Sequence, residues 1–206
     1  MGLFLIVVWG CRRQYDATEI DKTDYGWDLY EQGVYQEAND WFKAAVIQDS
    51  SYKDGYNGLG WSYGKLMEMD SSALYFERGL AYPQSPNILA NLDHELKAGL
   101  CFVNNARGED SLAIEWGNDL LSDLEQSDLS TWSFSHDTTL NYLDVHLTLS
   151  VSCFSIGDFA QSLSHVQYIV DALTPGATFT PDIGTIVGRR ELADQIEYLR
   201  TLLNLP

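Results

Sequence analysis

The side chains of this 206-residue chain that could do chemistry are four histidines, three cysteines and 30 carboxylates. Their spacing assigns them to no reaction. His94, His136, His146 and His165 stand apart along the chain, and none pairs with another at i and i+4, the spacing by which one helix grips zinc. Asp144 and His146 are two apart, which on a helix turns them about 200° from each other. No metal site and no cofactor is expected. Asp93, His94 and Glu95 form a polar cluster that reads as a solvated helix face. No serine sits in Gly-x-Ser-x-Gly, and no glycine-rich phosphate cradle with its Lys-Ser/Thr pair is present. An enzyme would have to assemble its site from scattered carboxylates such as Glu95 and Asp144, so a non-enzymatic protein is expected. Cys101 and Cys153 fall in apolar stretches, where a free thiol serves as a small core residue. A disulfide between them stays open, because spacing alone does not bring two Cα atoms within bridging distance.

Thirty acidic against 12 basic residues give a formal charge of −18, which argues against nucleic acid as a partner, since phosphate contacts need clustered cations. The same charge keeps an elongated array soluble and monomeric and repels anionic headgroups. With 45% hydrophobic residues, the chain can bury a sizeable core without disulfide staples. Six Trp, 12 Tyr and 8 Phe are enough for thick helix packing or for a stacking surface.

Residues 2–10 are apolar and uncharged, too short to cross a bilayer as a helix but of the length of a secretory apolar region. They end in Val8-Trp9-Gly10-Cys11, after which the chain turns polar with Arg12 and Arg13. This resembles the bacterial lipoprotein signal. The resemblance implies that residues 1–10 are a signal remnant, that Cys11 carries a diacylglycerol, and that 11–18 link this anchor to the domain. Anchoring through lipid on a membrane surface facing the periplasm follows as an expectation.

The elements that must position any site come from a repeat. Gly26 and Gly60, Trp27 and Trp61, Leu29 and Tyr63, Phe42 and Phe76 all match at an offset of 34, as do Ala38 and Ser72, Ala45 and Gly79, Val46 and Leu80. Each unit carries two apolar runs of helical spacing separated by a break, at Gly33-Val34-Tyr35 in the first and around Met67 in the second. The pattern resembles the tetratricopeptide repeat, a helix-turn-helix unit of this period. Leu100, Cys101, Gly108, Ala113 and Leu120 suggest a third unit. Leu149, Ser150, Gly157, Phe159 and Ser162 suggest a fourth. The expected fold is all-α, a right-handed α-solenoid of about four helix pairs within one domain, 19–206. Its units are 19–52, 53–86, 87–125 and 137–174. The first helices of the later units extend over Asn87–Asn105 and Asp137–Phe154, with a loop over Gln126–His136. Pro175-Gly176 and Pro181 break the chain, and Asp182 caps a last helix over 183–204 that covers the open end.

The resemblance also implies a binding surface, because the first helix of each unit lines a concave groove that takes an extended peptide or a partner helix. Carried over by position, Thr23, Trp27, Tyr30 and Glu31 face this groove from the first unit, and Asn57, Trp61, Gly64 and Lys65 from the second. The two tryptophans serve either as stacking anchors or as helix packing. The expected function is an adaptor or scaffold in the bacterial cell envelope, holding an unidentified protein or peptide. The alternative is a glycan-binding lipoprotein that stacks sugars on the groove aromatics.

Overall fold

The computed structural model describes residues 16–86, 88, 91–127 and 131–203. The expected signal segment and Cys11 lie outside them. Four helix pairs follow in chain order: α1 (Glu19–Glu31) with α2 (Tyr35–Gln48), α3 (Lys53–Lys65) with α4 (Met69–Leu80), α5 (Leu92–Ala106) with α6 (Asp110–Gln126), and α7 (Tyr142–Ser155) with α8 (Phe159–Leu173). Between the third and fourth pairs stand two short strands, β1 (Ser133–Phe134) and β2 (Asp137–Asn141), and α9 (Ile186–Leu203) closes the chain. Each second helix packs on the first helix of the next pair, while α1, α3, α5 and α7 touch one another in sequence as an inner layer. The last helix rests on α7 and α8, where Leu192, Ile196 and Leu199 join Leu143, Leu147, Val166 and Ile169 in one apolar cluster.

The repeat is visible in its turns. Each pair's first helix ends with a residue in the left-handed region, Gly33, Met67, Gly108 and Gly157, at φ of 78°, 63°, 74° and 86°. The residue after each donates its N–H to the carbonyl five places back, Val34 to Leu29, Glu68 to Tyr63, Glu109 to Asn104 and Asp158 to Cys153, all at 2.8–2.9 Å. These are Schellman endings, and glycine suits them because a Cβ is penalised at positive φ. Met67, 76% exposed, makes no core contact that would offset that penalty. Met67→Gly should therefore stabilise the protein by about 0.5 kcal/mol, the relief of left-handed strain less the added freedom of the unfolded chain. A higher urea midpoint with unchanged slope is the expected reading.

Helix packing uses one device twice. Phe42 is fully buried between α1 and α3, where a Cβ built on Gly26 or Gly58 would come within 2.7 or 2.3 Å of its ring. Phe76 lies likewise between Gly60 of α3 and Gly99 of α5, either of which would meet it at 2.3 Å. Bare backbone at these glycines is what lets the inner helices close on a ring.

The structure departs from the sequence expectation at three places. Asp137–Asn141 is a strand and not the start of the fourth unit's first helix, because Asn141 caps α7: its side chain accepts from Leu143 N, and Asp144 accepts from Asn141 N in return. Asp182 does not cap the last helix; Thr185 Oγ1 accepts from Gly188 N at 3.0 Å, and the helix begins at Ile186. The third unit's first helix starts at Leu92, capped by Asn91, and not at Asn87. No helix among the described residues is long and apolar enough to cross a membrane.

Candidate functional site

The inner layer does present Trp27 and Trp61 on one wall, and that wall is covered. The β1–β2 hairpin, antiparallel with Ser133 opposite Asn141 and Phe134 opposite Asp137, folds back onto α1, α3 and α5. Phe134 stacks on Trp61 at 4.2 Å between centroids and stands edge-on to Trp27 and Tyr30 at 5.9 and 6.1 Å. His136 lies parallel to Trp27 at 3.7 Å and 5°. Of the two roles left open for the tryptophans, packing is the one seen at this wall: Trp27 and Trp61 are only 4% and 7% exposed, and Thr23, Tyr30 and Asn57 are buried with them. The physical reason is the apolar side of the hairpin itself, since Phe134 gains its burial by entering the groove. Of the expected groove residues, Glu31 and Lys65 remain at the rim. Glu31 Oε1 meets His136 Nδ1 at 2.9 Å, and the Lys65 ammonium stands 6.0 Å over the Tyr35 ring.

Polar contacts fix the hairpin through acids. Glu95 Oε1 accepts from Ser135 N and Oγ at 3.1 and 2.6 Å, and its Oε2 accepts from Asn57 Nδ2 at 2.6 Å. The cluster Asp93-His94-Glu95 is therefore no solvated face: His94 and Glu95 are buried because α5 is covered by its neighbours and by the hairpin. Asp93 alone reaches a cation, buried Lys53, which also donates to the Tyr82 carbonyl. Asp54 is buried and accepts from Trp27 Nε1 at 3.2–3.3 Å. Burial first, and the Glu95 charge second, push its carboxyl up to about 7.

That shift has a signed consequence. An aspartate raised in the folded protein keeps its proton where the unfolded chain has already lost it, so its contribution to stability is lost as pH rises from about 4 to about 7 and is constant above. Asp54→Asn keeps an acceptor for the indole and removes the charge. The variant should gain on the wild type as pH rises through this window, reaching roughly 1 kcal/mol or more at pH 7 and above. Urea midpoints of both proteins across that range check it, and parallel curves would contradict the assignment.

Beside the hairpin the groove stays open as a cavity of about 490 Å³ between α3, α5, α7 and the end of α9. Trp61, Phe76, Phe102, Val103, Leu140, Leu147 and Val151 make its apolar lining, and Lys65, Asn105, Asp137, Asp144 and Arg200 its polar rim. Burial pushes the Asp144 carboxyl up to about 6. Gly64 and Gly99 also border it.

Two further groupings were not legible in the spacing. His146 and His165, 19 residues apart, meet across α7 and α8 with Nδ1 atoms 2.9 Å from each other, and Tyr168 stacks on His146 at 4.0 Å. Burial, then the neighbouring imidazole, holds His146 down at about 3, and burial lowers His165. Cys101 and Cys153 are free and buried, with thiols pushed up by burial, Cys153 to about 11. Among the described residues no group of three or more His, Cys, Asp or Glu is placed to hold a metal. The signal that could have found the hairpin is the spacing of Trp132, Phe134 and His136, three rings two residues apart in a Ser/Thr-rich segment.

No family model and no curated protein matches the sequence. Solved structures do match. YrrB, described as a TPR protein with an unusual peptide-binding site, superposes with TM-score 0.60 at 17% identity over 92% of this chain and 90% of its own. PilW, described as a widely conserved type IV pilus biogenesis factor, gives 0.60 at 14% over 89% and 77%, and MamA gives 0.58 at 14% over 75% and 78%. With its four helix pairs, two of them seated on glycine slots, its repeated Schellman turns and this likeness, the chain has the tetratricopeptide-repeat fold.

Proposed function

We propose that this protein is an adaptor of the bacterial cell envelope, tethered through lipid on Cys11 and facing the periplasm, whose inner groove holds an extended segment of a partner protein. The binding part rests on a segment that already lies in the groove: the chain's own hairpin, whose strand residue Phe134 and turn residue His136 stand ring on ring with Trp61 and Trp27, beside an open apolar cavity of about 490 Å³. YrrB, of the same fold, is described as having a peptide-binding site, and PilW as a pilus biogenesis factor; both support an interaction role outside catalysis. The alternative of glycan binding needs an open indole face, and the faces of both groove indoles are taken by Phe134 and His136.

The test places a photo-crosslinking amino acid at Lys65, on the cavity rim, and at Glu77, exposed on α4 away from it. Irradiated in cells, the Lys65 position should capture a discrete partner and the Glu77 position should not. Val151→Glu, which puts a charge into the cavity, should lower that capture about ten-fold, the penalty of desolvating an unpaired carboxylate. Equal capture at both positions contradicts the groove. The anchor is tested separately: a tagged fatty acid should label the wild type and leave Cys11→Ser unlabelled.

A further inference from the structure

The hairpin fits its wall incompletely. Thr23 Oγ1, Tyr30 OH, Asn57 Oδ1 and Trp61 Nε1, all buried on the inner face of α1 and α3, make no hydrogen bond within the chain. Charge is as poorly matched. Among the described residues no lysine or arginine pairs with Asp54 or Glu95, and the hairpin's imidazole, His136, hydrogen-bonds Glu31 and stands near Asp24. A cavity of about 390 Å³ lies next to that imidazole, bounded by Asp24, Trp27, Tyr52 and Asp54. Buried polar atoms left without partners are rare in finished cores, and four on one wall point to a ligand that is not the hairpin.

Resting on the groove reading above, we infer that the hairpin Ser133–Asn141 is a displaceable internal occupant, and that the wall beneath it is the docking surface for a partner hairpin bearing an aromatic residue on its strand and, two places on in its turn, an arginine. The aromatic residue takes the place of Phe134 on Trp61. The guanidinium takes the place of His136 on Trp27, a stack that suits a cation over an indole, and faces the carboxylates of Glu31, Asp54 and Asp24. Its five N–H donors exceed what one imidazole offers to that group of carboxylates. Because the hairpin is tethered to the wall it covers, the partner binds only in the fraction of molecules whose hairpin has lifted, and its apparent affinity is reduced by that fraction.

The probe is a synthetic peptide of residues 131–141 with arginine replacing His136, added to the full-length protein and followed by calorimetry. Phe134→Ala/His136→Ala weakens the internal occupant and should raise the peptide's affinity at least about ten-fold over wild type. Adding Glu31→Gln and Asp54→Asn to that background should reverse the gain. Should the double variant not fold by circular dichroism, His136→Ala alone should still give about a three-fold gain. Equal affinity for wild type and the hairpin variants overturns the proposal. Peptide binding abolished by Val151→Glu but untouched by Asp54→Asn also overturns it, while leaving the groove reading in place, since the peptide would then sit in the open cavity.

Discussion

Phe76→Ala should lower the free energy of unfolding by about 3–5 kcal/mol, the largest loss expected of any single truncation here. The ring is 1% exposed and fills a slot whose two walls are the backbones of α3 at Gly60 and α5 at Gly99. Helix backbones cannot collapse into the space that a missing ring leaves, so the full cavity term is expected on top of the lost transfer energy. Trp61, which stands edge-on to Phe76 at 5.4 Å, would lose its support as well. Leu74→Ala, on the outer side of the same helix and 43% exposed, should cost less than about 0.5 kcal/mol and controls for helix propensity. Chemical denaturation measures both. A loss below about 1 kcal/mol at Phe76 would mean that the inner helices are not spaced by that ring.

Phe134→Ala is the second large effect, and it differs in kind. Phe134 is fully buried, yet it sits on a hairpin between the third and fourth helix pairs and not in one of them. The cost is therefore capped by the free energy of seating the hairpin, and about 2–3 kcal/mol is expected, below the loss at Phe76. The spectroscopic consequence is specific. Trp27 and Trp61 lose their cover together, so tryptophan emission should move to longer wavelength and become open to iodide quenching while far-ultraviolet circular dichroism stays helical. Phe76→Ala at equal denaturant distance from its midpoint should leave the cover on Trp27 in place. If Phe134→Ala left the emission unchanged, the indoles would owe their burial to the helices alone.

The repeat was legible because it is written in residue types that have one use each. Gly33, Gly108 and Gly157 mark left-handed turns, and the 34-residue match of Gly26 with Gly60 and Phe42 with Phe76 reports a ring seated on bare backbone. The hairpin was not legible as such. Its segment, Thr131–Asn141, is rich in Ser and Thr and sits between two helical patterns, so it reads as loop and as helix start. Its structure is decided by where its rings can be buried, which is a tertiary property of the wall it meets. For the same reason the groove positions could be placed on the inner helices from the sequence, while their exposure could not. Glu95 shows the limit well: flanked by Asp93, His94 and Lys97 it reads as surface, and only the fold reveals that it holds Ser135 and Asn57 from within.

The central claim is that the chain's own hairpin lies ring on ring against the two groove tryptophans. Nuclear Overhauser spectroscopy on the wild-type protein tests it most directly, because the His136 and Trp27 rings are 3.7 Å apart between centroids and those of Phe134 and Trp61 4.2 Å. Strong ring-to-ring cross-peaks for both pairs, with the His136 carbon-bound protons shifted upfield by the indole, are the predicted result. Assigned rings without those cross-peaks, and with His136 shifts typical of solvent, would contradict it.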